Sequence, residues 1–173
     1  MIKGTHIGVI GAGKCSKEIY DLSEEVGSLV GKNGWLLICG GLGGVMEGVA
    51  KGCYSAGGIA VGILPGKNKA SANQFINLPI PTGMGEGRNL LVVRASDIII
   101  AISSGYGTLS EIGLALKIGK PLIGLKTWPN IDGIDYVETP QKAIEKVITY
   151  LLHPSGDYST FNGWHFRINH IST

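Results

Sequence analysis

The sequence predicts a single doubly wound α/β domain of Rossmann-like type, with a mainly parallel sheet of about seven strands. Three observations predict it. Short apolar runs alternate with longer stretches of helical periodicity. The apolar runs lack polar–apolar alternation, as strands covered on both faces do. The 28 glycines among 173 residues, well above the usual ~7%, cluster where apolar runs end and strand-to-helix turns must be tight.

The elements follow in order. Residues 6–10 read as a first strand and 16–32 as a helix. Residues 35–39 (Trp-Leu-Leu-Ile-Cys) are a second strand. Residues 44–56 are a helix with Val45, Val49 and Cys53 on one face. Residues 59–64 are a third strand, 65–73 a polar loop, and 75–78 a short strand closed by Pro79 and Pro81. Residues 87–95 are a helix and 97–102 the most apolar strand. Residues 108–118 are a helix, 121–125 a strand, 127–133 a loop and 136–137 a last short strand. Pro140 opens a final helix over 140–152. The domain is expected to span residues 1–152. Residues 153–173 form a tail, packed on the domain or placed at an oligomer contact.

Composition excludes several classes. A formal net charge of +2, with no basic stripe and no interleaved aromatics, gives no electrostatic case for nucleic acid or an anionic membrane. No apolar run approaches the ~18 residues of a membrane span. No sustained apolar stretch precedes the first glycines, so no signal peptide is expected and the location is cytoplasmic. Cys15, Cys39 and Cys53 are odd in number and lack CxxC spacing. They read as reduced thiols, and no metal site is expected.

Three glycine-rich turns carry the functional argument. A glycine turn feeding a helix start offers unpaired N–H groups and the positive end of the helix dipole, which together favour an anion. The first is Gly11-Ala12-Gly13-Lys14-Cys15-Ser16. It nearly matches a P-loop, but Cys15 stands where a hydroxyl would hold magnesium. It nearly matches a dinucleotide fingerprint, but Ser16 occupies the third glycine position. It is either a plain tight turn or one that contacts a ligand. The second is Gly40-Gly41-Leu42-Gly43-Gly44, with more glycine than chain reversal requires. The third is Ser103-Ser104-Gly105-Tyr106-Gly107-Thr108. Thr108-Leu109-Ser110-Glu111 has capping-box spacing, so Glu111 either caps the helix or faces a ligand.

Arg88 precedes a helix on the same edge of the sheet. It is either a surface residue or a bidentate grip on a phosphate or carboxylate. Such crevices at the carboxyl ends of parallel strands bind nucleotides and phosphorylated cofactors. No Ser-His-Asp set, paired glycosidase carboxylates or HExxH is present.

In their order and spacing, Gly40-Gly41-x-Gly43-Gly44-Val45-Met46, Arg88 and Gly105-Tyr106-Gly107-Thr108-x-x-Glu111 resemble the LONELY GUY superfamily. Its hallmark is PGGxGTxxE with an arginine in the preceding helix. The fit is closer to a short branch that includes the molybdenum cofactor carrier protein. It spans roughly residues 7–128, through Gly11-x-Gly13-Lys14, Gly62-Ile63-Leu64-Pro65-Gly66 and Ala115-Leu116-Lys117-x-x-Lys120-Pro121. Ser103 and Ser104 replace the Pro and first Gly of the hydrolase motif.

The resemblance implies two functions. In the first, a carrier holds the molybdenum cofactor (molybdopterin), a phosphorylated pterin. Backbone N–H groups of Gly11, Ala12, Gly13, Lys14, Gly40, Gly41, Gly43, Gly44, Ser103, Ser104, Gly105, Tyr106, Gly107 and Thr108 take its anionic groups, with Arg88 and Lys14 adding charge. In the second, a phosphoribohydrolase cleaves nucleoside 5′-monophosphates to base and ribose 5-phosphate, with Arg88 and Glu111 as catalytic residues. The resemblance also implies a homodimer or homotetramer, with residues 90–93 and the helix after Thr108 as candidate contacts.

Overall fold

The computed structural model describes residues 4–153. The expected tail, residues 153–173, lies outside them except for its first residue. In chain order the elements are β1 (His6–Gly11), α1 (Lys17–Lys32), β2 (Leu36–Cys39), α2 (Val45–Ser55), β3 (Ile59–Leu64), β4 (Leu78–Pro81), α3 (Asn89–Ala95), β5 (Ile98–Ile102), α4 (Tyr106–Lys117), β6 (Leu122–Leu125), β7 (Asp135–Val137) and α5 (Pro140–Leu152).

The seven strands form one sheet in the order β4-β3-β2-β1-β5-β6-β7, and every neighbouring pair is parallel. The chain builds outward from β1 to β4, then returns to β5 on the other side of β1. That reversal lies between β1 and β5, paired Val9 to Ile100, and opens a crevice at their carboxyl ends.

The unbroken apolar runs are explained by the two layers of helix. Ile7, Val9, Ile98, Ile100 and Ile102 pack toward α1, α2 and α5, in one cluster with Val30, Val49 and Val147. Ile10, Ile99 and Ala101 turn to the opposite face and pack against Val92 and Val93 of α3 and Ile112 and Ala115 of α4. Adjacent strand residues thus feed opposite cores, and both must be apolar. Val92 and Val93 are fully buried here, so of the four residues expected at an oligomer contact only Leu90 and Leu91 retain surface.

The helix starts follow capping chemistry. The Ile19 N–H donates to Ser16 Oγ (3.3 Å), and the Lys142 N–H donates to Thr139 Oγ1 (3.2 Å) ahead of Pro140. The helix expected over residues 87–95 is instead a 3-10 turn, Gly85–Arg88, running into α3. The α1–α2 contact depends on absent side chains. A Cβ on Gly27 would lie 2.8 Å from Val49 Cα, and one on Gly52 would lie 2.7 Å from Ser28 N.

One strand is corrected. The expected strand over residues 75–78, closed by prolines, is instead Leu78–Pro81 and runs through both of them. β4 is the sheet edge, and the Thr82 N–H donates to Leu64 O on β3 (3.2 Å). By the two-residue alternation, Pro79 and Pro81 turn outward, where a missing N–H breaks no ladder bond. Phe75 is apolar because it packs on Tyr54, with ring centroids 6.2 Å apart.

Cys15, Cys39 and Cys53 are all free. Burial pushes the Cys39 thiol up to about 12 and Cys53 up to about 11. No described helix is long and apolar enough to cross a membrane.

Candidate functional site

A cleft of about 340 Å³ opens at the carboxyl ends of β1, β2 and β5. Three glycine turns meet there because three parallel strands end there, each feeding a helix. Of the residues expected at the site, Gly11, Ala12, Gly13, Gly40, Arg88, Gly105, Gly107, Thr108 and Glu111 line this cleft. Lys14, Gly41, Gly43, Gly44, Ser103, Ser104 and Tyr106 do not.

Several of these residues have structural work. Gly44 takes φ 63, and a Cβ there would lie 2.6 Å from Gly13 C. That close approach lets the Val45 N–H donate to Ala12 O (3.0 Å), which ties the second turn to the first. A Cβ on Gly41 would meet Leu64, so that glycine serves packing under the turn. Lys14 is exposed at the lip.

The capping-box spacing does not act as one. α4 starts at Tyr106, with Gly105 as its N-cap. Thr108 is therefore the third helical residue, and Glu111 lies in the second turn. Neither can satisfy the first amides. Both are buried instead, Thr108 at 2% exposure and Glu111 at 6%.

Arg88 is the third buried polar residue on the cleft, at 8% exposure. The 3-10 turn before α3 carries it inward against the second turn, where its guanidinium lies along Gly40. A Cβ on Gly40 would come within 2.6 Å of Nη2. Arg88 Nε and Thr108 Oγ1 are both buried with no hydrogen-bond partner. Among the described residues, the Glu111 carboxyl has neither hydrogen bond nor ion pair. Buried polar groups are nearly always paired, and leaving one unpaired costs about 1–3 kcal/mol.

The electrostatics follow from burial. Desolvation pushes the Glu111 carboxyl up to about 7, although the Arg88 charge pulls the other way. Desolvation likewise holds the Arg88 guanidinium below its ordinary range, partly offset by Glu111. The two side chains feel each other's field without closing an ion pair. A carboxyl near 7 can hold or release a proton at neutral pH.

The cleft also contains residues that motif reasoning missed, notably Leu42, Pro65, Gly85, Glu86 and Asn89. They come from segments following β2, β3 and β4, and their signal was positional: ligand crevices collect the loops at carboxyl strand ends. Among the described residues, no group of three or more His, Cys, Asp or Glu side chains is placed to hold a metal ion.

The chain matches the SLOG cluster4 family over residues 4–151, and it belongs to that family. It is 47% identical over 148 residues to an uncharacterized protein of Archaeoglobus fulgidus, covering 86% of this chain and 97% of that one. It is 30% identical over 128 residues to the cytokinin riboside 5′-monophosphate phosphoribohydrolase of Mycobacterium tuberculosis, covering 68% of this chain and 67% of the relative. Among solved structures, the molybdenum cofactor binding protein of Rippkaea orientalis superposes with a TM-score of 0.82 at 32% identity, covering 87% of this chain and 99% of that one. The molybdenum cofactor carrier protein of Chlamydomonas reinhardtii superposes with a TM-score of 0.80 at 31% identity, covering 86% and 98%. The chain is thus a LONELY GUY-like protein of the branch that includes the molybdenum cofactor carrier.

Proposed function

We propose that the cleft binds the molybdenum cofactor, a phosphorylated pterin, as cargo for storage or transfer. The observation that carries this is the set of unpartnered polar groups on the cleft: Arg88 Nε, Thr108 Oγ1 and the Glu111 carboxyl. A polar ligand in the cleft would offset their desolvation. A phosphate fits the glycine turns, whose N–H groups lie at the starts of α1, α2 and α4. A ring bearing both N–H donors and acceptors fits Glu111 and Arg88.

The third turn favours carriage over hydrolysis. Ser103 stands where the hydrolase motif has proline, and its φ is 65. A proline ring holds φ near −65°, so this turn follows a path that the hydrolase motif cannot take. The near full-length likeness to two molybdenum-cofactor proteins supports the same reading.

A second reading rests on Arg88 and Glu111. Both match positions that carry catalysis in the phosphoribohydrolases, and a carboxyl near 7 suits proton transfer.

The test is to incubate the protein with cofactor freshly released from a molybdoenzyme. After gel filtration, the protein-bound pterin is measured by fluorescence following oxidation. Stoichiometric retention that Arg88→Ala abolishes is the expected result. In parallel, AMP, GMP, CMP, UMP and a cytokinin riboside monophosphate are assayed for free base. Release that Glu111→Gln removes, with no pterin retained, would make the protein a hydrolase. The α3–α4 groove, lined by Leu90, Gly113 and Leu114, is the surface we assign to homo-oligomer contact, and light scattering checks it.

A further inference from the structure

The third turn is held from outside by the loop that follows β6. Thr127 Oγ1–H donates to Ser103 O (2.7 Å), and the Trp128 indole N–H donates to Gly105 O (3.1 Å). Gly105 O also accepts the first bond of α4, from the Leu109 N–H (2.8 Å). The loop is itself braced, since Tyr136 O–H donates to Trp128 O (2.7 Å) and accepts from the Ile131 N–H (3.0 Å). Tyr106 lies over Trp128, with ring centroids 6.2 Å apart.

These bonds capture carbonyls rather than amides. A carbonyl dipole aimed at an anion repels it, whereas an N–H attracts it. Ser103 and Gly105 are the turn residues whose carbonyls are tied to Thr127 and Trp128. Ser103 itself sits in the left-handed region, at φ 65. On the other side, Gly105, Gly107 and Thr108 line the cleft. Thr108 Oγ1 is there, buried and unpartnered, and an unpartnered Arg88 Nε lies in the same cleft.

We infer that Thr127 and Trp128 are positioning residues that set the anion affinity of the third turn, by holding the Ser103 and Gly105 carbonyls away from the cleft. Neither lines the cleft, so both act through the backbone. The inference rests on the anion-binding part of the proposed function and extends it to the β6–β7 loop.

The test is a titration of 15N-labelled protein with pyrophosphate, following the amides of residues 105–107. In the wild type these resonances shift and saturate. Thr127→Val and Trp128→Phe each weaken binding by about fivefold to tenfold, the loss of one hydrogen bond. Thr127→Ser restores it to within about twofold. Amides beside Trp35, at the far end of the sheet, report that each variant is folded. Wild-type affinity in both variants overturns the inference, as does a wild type whose 105–107 amides ignore pyrophosphate. Pyrophosphate binding that behaves as stated in a protein that retains no molybdenum cofactor leaves the positioning role standing and removes the carrier reading.

Discussion

The Arg88 guanidinium occupies the space that a side chain on Gly40 would fill, with Nη2 2.6 Å from the position of a Gly40 Cβ. Gly40 lines the cleft and its missing side chain also leaves room for that arginine. Gly40→Ala should displace that arginine and reduce ligand affinity about tenfold or more, as Arg88→Ala does. Arg88→Lys should not rescue, because an ammonium cannot fill the fork. Arg88→Met should lose binding yet unfold no more easily without ligand, and up to about 2 kcal/mol less easily, since it removes a buried unpaired donor. Denaturant melts paired with the pterin-retention assay check all four variants.

Glu111 predicts a pH signature. Its folded-state carboxyl sits near 7, above its ordinary 4.5. The native protein therefore binds this proton more tightly than the unfolded chain does. Its contribution to stability falls as pH rises through that window and is flat above it. The wild type minus Glu111→Gln difference in unfolding free energy should decline between about pH 4.5 and 7. A 13C titration of the carboxyl should find the midpoint, and Arg88→Met should raise it further because it removes the opposing charge.

Glycine substitutions should divide by environment. Gly52 in α2 faces the α1 backbone, so Gly52→Ala should cost about 2–3 kcal/mol by overpacking. Gly113 in α4 has nothing within 4 Å of its added Cβ and no positive φ. In the dissociated protomer, Gly113→Ala should stabilise by about 0.5–1 kcal/mol. Thermal melts of the two variants should move in opposite directions.

Ser103 tests the third turn. Ser103→Gly should be neutral or stabilising by up to about 1 kcal/mol, since it relieves the left-handed backbone at φ 65. Ser103→Pro should cost about 1–3 kcal/mol or more, because proline cannot adopt that φ. Retention of full stability by Ser103→Pro would show that the turn readily adopts the hydrolase path.

Much of this was legible in the chain itself. Each strand buried on both faces is written as an unbroken apolar run, and each glycine turn as a cluster, because those constraints act on neighbouring residues. Ile98–Ile102 has no residue free to be polar, whichever face it meets. β4 was misplaced because proline is forbidden only where its missing N–H would face another strand. Whether Pro79 and Pro81 face outward depends on β4 being an edge, which no local pattern states.

The site divides the same way. The anion-friendly turns, Arg88 and Glu111 follow from local glycine chemistry and motif spacing. What Glu111 does depended on where α4 begins. With its start at Tyr106 rather than after Thr108, a capping carboxylate becomes a buried, unpaired one. Gly44 is pressed against the first turn and Gly41 against β3, packing that turn composition alone does not state. Thr127 and Trp128 meet the third turn because the loop after β6 reaches back to the Ser103 and Gly105 carbonyls. Turn composition and strand burial are local properties written in consecutive residues. The direction of a carbonyl, the fit of a guanidinium against a glycine, and the proton affinity of a carboxyl arise only when distant segments meet and exclude water.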